Sequence, residues 1–117
     1  ISLIIVQFRN RRTGERRTFQ IAEITSDCEA NVILQYDTGK DKLVPLNKSR
    51  QLYKSLKLYT GMSEKDVDKD IAEKVKVLTY LEKMDVTSVD GVGRVIAEYY
   101  TDKDYLLKMV RANKRLV

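Results

Sequence analysis

Histidine and tryptophan are absent from this sequence, and cysteine occurs once, as Cys28. Without histidine and with a single thiol, the usual zinc ligand sets cannot be assembled, and neither a Ser/His/Asp nor a Cys/His nucleophilic pair can form. One cysteine also excludes an internal disulfide, which is typical of proteins from a reducing compartment. We therefore expect a cytoplasmic chain with no catalytic residue, no cofactor site and no metal site of its own.

Long hydrophobic runs are also missing. The longest begins at Ile1 and ends at Val6, with Ser2 inside it, whereas a membrane-spanning helix needs about 20 apolar residues. Basic residues follow this run instead of preceding it, so it does not have the form of a secretory signal. Because the sequence opens with isoleucine and not methionine, we expect it to be the C-terminal piece of a longer chain.

The composition is that of an ordinary globular protein. The chain has 117 residues, of which 43% are hydrophobic and 33% charged, which suits one domain-sized fragment with one core. Its 22 basic and 17 acidic residues give a net charge of +5. This basic balance is compatible with nucleic acid, acidic proteins or a membrane surface, and does not choose among them.

The first 45 residues have the pattern of a β-sheet, because β-branched and apolar residues recur between turn signals. The predicted strands are residues 1–8, 18–24, 32–36 and 42–44. The first strand is apolar on both faces, which is typical of a strand buried on both sides. The turn signals at Thr13-Gly14 and Gly39-Lys40 predict two hairpins, and Pro45 ends the sheet because proline cannot donate to a strand ladder.

Residues 46–117 show a hydrophobic period of about 3.6, which predicts about four helices. Asn47 is the predicted cap of the first helix, and Gly61 its end. The second helix, starting near Ser63, repeats apolar residues on its predicted inner face at Val67, Ile71, Val75, Leu78 and Leu81. The third helix has a similar apolar side at Val92, Val95, Ile96, Tyr99 and Tyr100. Thr101 or Asp102 is the predicted cap of the last helix. The fold class is α+β: a small antiparallel sheet of about four strands, then a lobe of about four helices.

An arginine cluster surrounds the first predicted turn. Its members are Arg9, Arg11, Arg12, Arg16 and Arg17, and only Glu15 opposes them. Guanidinium groups bind phosphates and carboxylates with paired hydrogen bonds. This turn is therefore a candidate contact for a nucleotide, an acidic partner subunit or nucleic acid. The alternative interpretation is a solvated loop.

A second candidate is the segment around Gly91, Gly93 and Arg94. It resembles the helix-hairpin-helix element of DNA-binding proteins, in which a Gly-apolar-Gly turn presents backbone N–H groups to a phosphate. A structural helix start is the interpretation that we favour. The two candidates together define an alternative function, a nucleic-acid-binding module.

Two stretches resemble the C-terminal region of the archaeal type II/IV secretion ATPases, a family that includes the assembly ATPases of the archaeal flagellum and related pili. The first joins Ile4-Ile-Val-Gln-Phe-Arg9 to Gly14-Glu-Arg-Arg-Thr-Phe-Gln-Ile-Ala-Glu-Ile24. The second joins Thr60-Gly-Met-Ser-Glu-Lys65, Val75-Lys-Val-Leu-Thr-Tyr-Leu81 and Ala97-Glu-Tyr-Tyr-Thr-Asp102. The departures are Lys103, where the family often has proline, Tyr80, where it often has tryptophan, and Gly91-Val-Gly93, which the pattern lacks.

The resemblance implies a parent protein that is a hexameric motor using ATP and Mg²⁺ at the cytoplasmic face of a membrane platform protein. Its phosphate loop and metal-binding boxes would lie upstream of Ile1, so the resemblance assigns no catalytic residue to this chain. The expected partners are other ATPase subunits and the platform, with nucleic acid only under the alternative function. We also expect the isolated chain to self-associate, because an uncovered apolar strand is an association hazard.

Overall fold

The computed structural model describes residues 3–116, so Ile1 and Ser2 of the first predicted strand, and Val117, lie outside the described residues. The described chain forms one four-stranded antiparallel sheet followed by four helices. This confirms the α+β prediction. No helix within residues 3–116 is long and apolar enough to cross a membrane.

The strands pair in chain order, each antiparallel to its neighbour. They are β1 (Leu3–Arg9), β2 (Arg16–Ile24), β3 (Ala30–Asp37) and β4 (Lys42–Pro45). β1 and β4 are therefore the two edges of the sheet. The register between β1 and β2 shifts after Val6, so that Phe19 is left between two paired positions. Such a bulge bends a strand and increases its twist.

The helices are α1 (Leu52–Thr60), α2 (Glu64–Lys83), α3 (Val89–Thr101) and α4 (Lys103–Ala112). Gly61 ends α1 with a φ of 73°, the left-handed conformation that glycine adopts most readily. Of the two predicted caps of α4, Asp102 is the one that caps it, by accepting a hydrogen bond from the Tyr105 N–H. The chain divides into two compact units, with the boundary after Glu64, so α1 belongs with the sheet.

The predicted cap at Asn47 is wrong. The Asn47 amide instead donates to the Val32 carbonyl oxygen of β3, and α1 begins five residues later, at Leu52. Gln51, at the N-cap position, makes no capping hydrogen bond through its side chain. The N–H groups at the start of α1 therefore need an acceptor from elsewhere in the chain.

Glu23 of β2 supplies that acceptor. Its carboxylate accepts hydrogen bonds from the backbone N–H groups of Arg50, Gln51 and Leu52. The Asn31 amide and the Ser49 hydroxyl also donate to it, each at 2.8 Å. Glu23 is fully buried. Burial alone would raise its pKa, but these hydrogen bonds outweigh burial and hold the pKa at about 2. A buried anion thus fixes the start of α1 to the sheet.

Apart from this carboxylate, the sheet unit has little interior. Its buried residues, within 3–64, are Ala22, Glu23 and Asn31. Two of the three are polar, and α1 has no buried residue. Most of the buried side chains of this unit are therefore held by hydrogen bonds and not by packing in an apolar core.

The helical unit has an apolar core to which all three of its helices contribute. Its buried members are Val77, Tyr80, Leu81, Val86, Val95, Tyr99 and Leu106. The Tyr80 hydroxyl donates to the Lys114 carbonyl oxygen at 2.6 Å and accepts from the Leu116 N–H at 2.9 Å. The Tyr99 hydroxyl donates to Glu73 at 2.8 Å. The polar tips of the core tyrosines are therefore satisfied, as buried hydroxyls require.

The predicted inner face of α2 is only partly correct. Val67 and Leu81 are buried, but Ile71, Val75 and Leu78 are more than half exposed. The reason is that α2 has apolar residues on more than one face, and packing against its neighbours selects the face that includes Val77 and Tyr80. The same holds for α3, where Val95 and Tyr99 are buried while Ile96 and Tyr100 are exposed.

Candidate functional site

The first hairpin turn is held in one conformation by local hydrogen bonds. The Asn10 side-chain oxygen accepts from the backbone N–H groups of Arg12 and Thr13 at 2.9 and 3.3 Å. The Asn10 backbone also closes the turn, donating to the Glu15 carbonyl oxygen and accepting from the Gly14 N–H. Gly14 has a φ of 76°, which an L-residue with a side chain rarely adopts. The arginines around this turn are thus presented from a defined backbone.

Arg17 is the one arginine of the cluster whose charge is neutralised by acidic side chains of the described chain. Its guanidinium donates to Asp41 at 2.8 and 3.2 Å and to Glu15 at 3.3 Å. Asp41 also accepts from the Tyr36 hydroxyl at 2.6 Å. The hydrogen bonds from Arg17 and then Tyr36 lower the pKa of Asp41 to about 2. The hydrogen bond to Asp41 and the negative charge of that carboxylate raise the pKa of Arg17. Arg17 therefore joins the first hairpin to the second, which is a structural role.

The other four predicted arginines are Arg9, Arg11, Arg12 and Arg16. All four are exposed, and none has an ion pair with an acidic side chain within residues 3–116. Arg9 and Arg16 face each other directly across the β1–β2 ladder. Next to them, Phe8 packs against Phe19, with ring centroids 5.6 Å apart, and against Tyr36 at 5.3 Å. The structure thus brings four cations to the end of a hairpin whose base is held by aromatic packing.

The second predicted candidate lies inside a helix. Gly91, Gly93 and Arg94 all belong to α3, which begins at Val89. The Gly91 N–H donates to the side chain of the helix cap, Ser88, at 3.0 Å. The segment is therefore the capped start of a helix. Arg94 lines an open recess together with Arg115, Asp85 and Asp90, so the two positive charges there are balanced by two negative ones.

β1 is an exposed apolar strand, as expected for a strand that is left uncovered in this chain. Leu3, Ile4, Ile5 and Val6 are exposed by 37–53%, although the apolar pattern predicts a strand buried on both sides. Successive strand residues point to opposite faces, so both faces of β1 display apolar side chains. β1 also lies at the edge of the sheet, so one row of its backbone groups has no ladder partner among the described strands.

The helical unit also has an exposed apolar face. Val77 and Tyr99 form the floor of a groove of about 200 Å³, and Leu78, Ile96 and Tyr100 are among the residues that border it. Ile71 and Val75 are exposed on α2 as well. The apolar repeat of α2 is the signal that could have found this face, since it covers more of the helix circumference than one neighbour can bury.

No group of three acidic or cysteine side chains that could hold a metal ion occurs within the described part of the chain. No protein-family description matches this sequence, and no curated protein is significantly similar to it. The exposed strand β1 and the arginine hairpin are therefore the two features of the structure that point to a function.

Proposed function

We propose that this chain is the non-catalytic C-terminal region of a ring-forming secretion ATPase of the type that assembles archaeal flagella and pili. In this proposal β1 packs against the motor core of the same protein or of a neighbouring subunit. ATP and Mg²⁺ would be bound by residues upstream of Ile1, at the cytoplasmic face of a membrane platform. The sequence resemblance supports this proposal along most of the chain.

The observation that carries the proposal is the exposure of β1. Antiparallel strands with one face in water alternate polar and apolar residues, whereas continuous apolar runs are typical of strands covered on both faces. β1 has the continuous run from Leu3 to Val6, yet all four side chains are exposed. This sequence is suited to a strand that further protein covers, and the segment that precedes it in the resembling family is the motor core.

The alternative, a nucleic-acid-binding module, has less support. Its phosphate-binding turn would need free backbone N–H groups, but the Gly91 N–H is donated to Ser88 and the Val92 N–H to the Ser88 carbonyl oxygen. Asp90 lies in the first turn of the same helix. Only the arginine hairpin remains as a contact for nucleic acid, and its arginines suit an acidic protein or a nucleotide equally well.

The proposal is tested by the coding sequence directly upstream of Ile1 and by the protein that it encodes. We expect a G-x-x-x-x-G-K-[ST] phosphate loop there, and Mg²⁺-dependent ATP hydrolysis by the full-length protein that Ile5→Asp reduces, because a charge on β1 weakens its packing on the motor. An upstream region without a phosphate loop would refute the proposal.

The isolated chain provides a second test, through its oligomeric state. We expect concentration-dependent self-association that Ile5→Asp abolishes, measured by sedimentation velocity. Ile71→Asp is the matched control: Ile71 is exposed by 52% and Ile5 by 53%, but Ile71 lies on a helix. Equal effects of the two substitutions would assign the association to general hydrophobicity and not to the edge strand.

A further inference from the structure

Arg9 and Arg16 form the last pair of the β1–β2 ladder. Like charges directly opposite each other in a sheet are destabilising, and neither guanidinium has an acidic partner within residues 3–116. The recess of about 330 Å³ that Arg9 and Arg16 line with Gln7 and Phe8 is open and has mostly apolar walls. The pair therefore carries an electrostatic cost that an anion bound by the two guanidinium groups would remove.

The nearby acids do not relieve this charge. Asp41 and Glu15 are both engaged by Arg17, and Asp41 also accepts the Tyr36 hydroxyl. One arginine of the hairpin is thus satisfied inside the fold, while its neighbour Arg16 is left facing Arg9. This contrast separates a structural arginine from two that are free to bind.

The backbone fixes the spacing of the pair. Opposed residues of an antiparallel ladder have Cβ atoms about 5 Å apart, and the turn beyond them is closed by Asn10. The Arg9 Nη2 atom is 3.7 Å from the position that a Cβ on Gly14 would take, so this guanidinium lies over the turn. Little conformational freedom of the backbone has to be lost when a ligand binds.

We propose that Arg9 and Arg16 form a binding site for a phosphate dianion, such as a terminal phosphomonoester. Two guanidinium forks supply a charge of +2 and donors from two directions, which matches the charge and the tetrahedral oxygens of a phosphomonoester. One fork is enough for a carboxylate, and a phosphodiester has a single negative charge. This inference does not depend on whether the chain belongs to an ATPase.

The test is a titration of the full 117-residue chain with pyrophosphate, followed through the side-chain Nε–H signals of the arginines by NMR. We expect shifts of the Arg9 and Arg16 signals with a dissociation constant below about 1 mM. Arg9→Gln and Arg16→Gln should each weaken binding about tenfold or more, since each removes charge-assisted hydrogen bonds.

Arg12→Gln is the matched control, because it removes the same charge from the same turn but not from the facing pair. We expect it to weaken binding less than threefold. An equal loss for all three variants would indicate diffuse attraction to the turn and overturn the proposal, as would the absence of binding. Arg9→Gln should leave the melting temperature unchanged or raise it, because it relieves the facing charges; a clear drop would mark Arg9 as structural.

The source of the phosphate is decided by paired ligands. AMP against 3′,5′-cyclic AMP compares a monoester with a diester among free nucleotides, and phosphatidic acid vesicles against phosphatidylglycerol vesicles make the same comparison at a membrane surface. We expect the monoester to bind more tightly in at least one pair, and that pair identifies the source. Equal binding of monoester and diester in both pairs, or tighter binding of duplex DNA than of pyrophosphate, would contradict the proposal.

Discussion

The sheet unit and the helical unit stabilise themselves in different ways. The helical unit buries seven residues in one apolar cluster, whereas Ala22 is the buried apolar residue of the sheet unit within residues 3–64. The sheet unit instead buries Glu23 and Asn31, and leaves the apolar residues of β1 in water. The helical unit also exposes apolar residues, among them Val75, Leu78 and Tyr100, but these surround a packed apolar core. Among its described residues the sheet unit has no such core, and under the proposed function other protein completes it.

The largest effect that we expect in this comparison comes from Glu23→Ala. The substitution leaves the N–H groups at the start of α1, the Asn31 amide and the Ser49 hydroxyl without their acceptor, at about 1–3 kcal/mol for each buried group. The free energy of unfolding of the sheet unit should fall by about 4 kcal/mol, read from its own NMR signals during urea denaturation. Glu23→Gln, which keeps one acceptor oxygen, should cost less. Signals of the helical unit that unfold at the same lowered urea concentration would argue against two separately stabilised units.

Two truncations to alanine, one in the core of the helical unit and one on β1, test whether the two units differ in buried apolar packing. Leu106 is fully buried, and Leu106→Ala should cost the helical unit about 3 kcal/mol, within the usual range for a buried leucine. Ile5→Ala, on exposed β1, should change the stability of the monomeric chain by less than about 0.5 kcal/mol. Chemical denaturation at a concentration where the chain is monomeric measures both. Comparable losses would show that β1 is covered within this chain.

Acid should affect the sheet unit first. The pKa of Glu23 is about 2 in the folded chain, against a usual value of 4.5. Its stabilising contribution is therefore complete above about pH 4.5 and is lost as the pH falls toward 2. In the helical unit, the hydrogen bonds from Tyr99 and Lys103 also lower the pKa of Glu73, but that carboxylate has fewer donors. A pH series followed by NMR should show the sheet signals disappearing at a higher pH. Glu23→Gln should reduce this difference and leave the part that comes from Asp41, whose pKa is also about 2.

A small gain in stability is expected at Gly93. This residue is inside α3, and a Cβ added to it would meet nothing within 4 Å, so Gly93→Ala should stabilise the helical unit by about 0.5–1 kcal/mol. At Gly61 the opposite sign is expected, because its φ of 73° is unfavourable for alanine. Thermal denaturation measures both changes. Lower stability of Gly93→Ala would give this glycine a role that the helix alone does not explain.

The sequence predicted the order and type of all eight elements, because strand and helix periods differ and because turn residues separate the segments. It also predicted Gly61 and Asp102 as helix boundaries, where the signal is local. It failed at Asn47, since the acceptor that starts α1 is Glu23, on a strand far away in the sequence. A local pattern cannot show a hydrogen bond of that kind.

The candidate site was predicted only in part. The sequence shows five arginines around one turn. It does not show that Arg17 is bound by Asp41 while Arg9 and Arg16 face each other. That distinction depends on strand register, which periodicity does not fix to one residue. Likewise, the apolar repeat of α2 did not indicate which side of the helix would be buried, because the neighbouring helices make that choice.

Hydrogen exchange at the amides of β1 tests the central claim most directly. In the isolated monomeric chain, where no further protein covers the strand, the outward-facing amides from Leu3 to Val6 should exchange rapidly, while those of Val77 to Leu81 and of Val95 to Tyr99 exchange slowly. In the full-length protein the β1 amides should become as slow as those of the helical core, because another strand or domain covers them. Rapid exchange of the outward-facing β1 amides in both proteins would contradict the account.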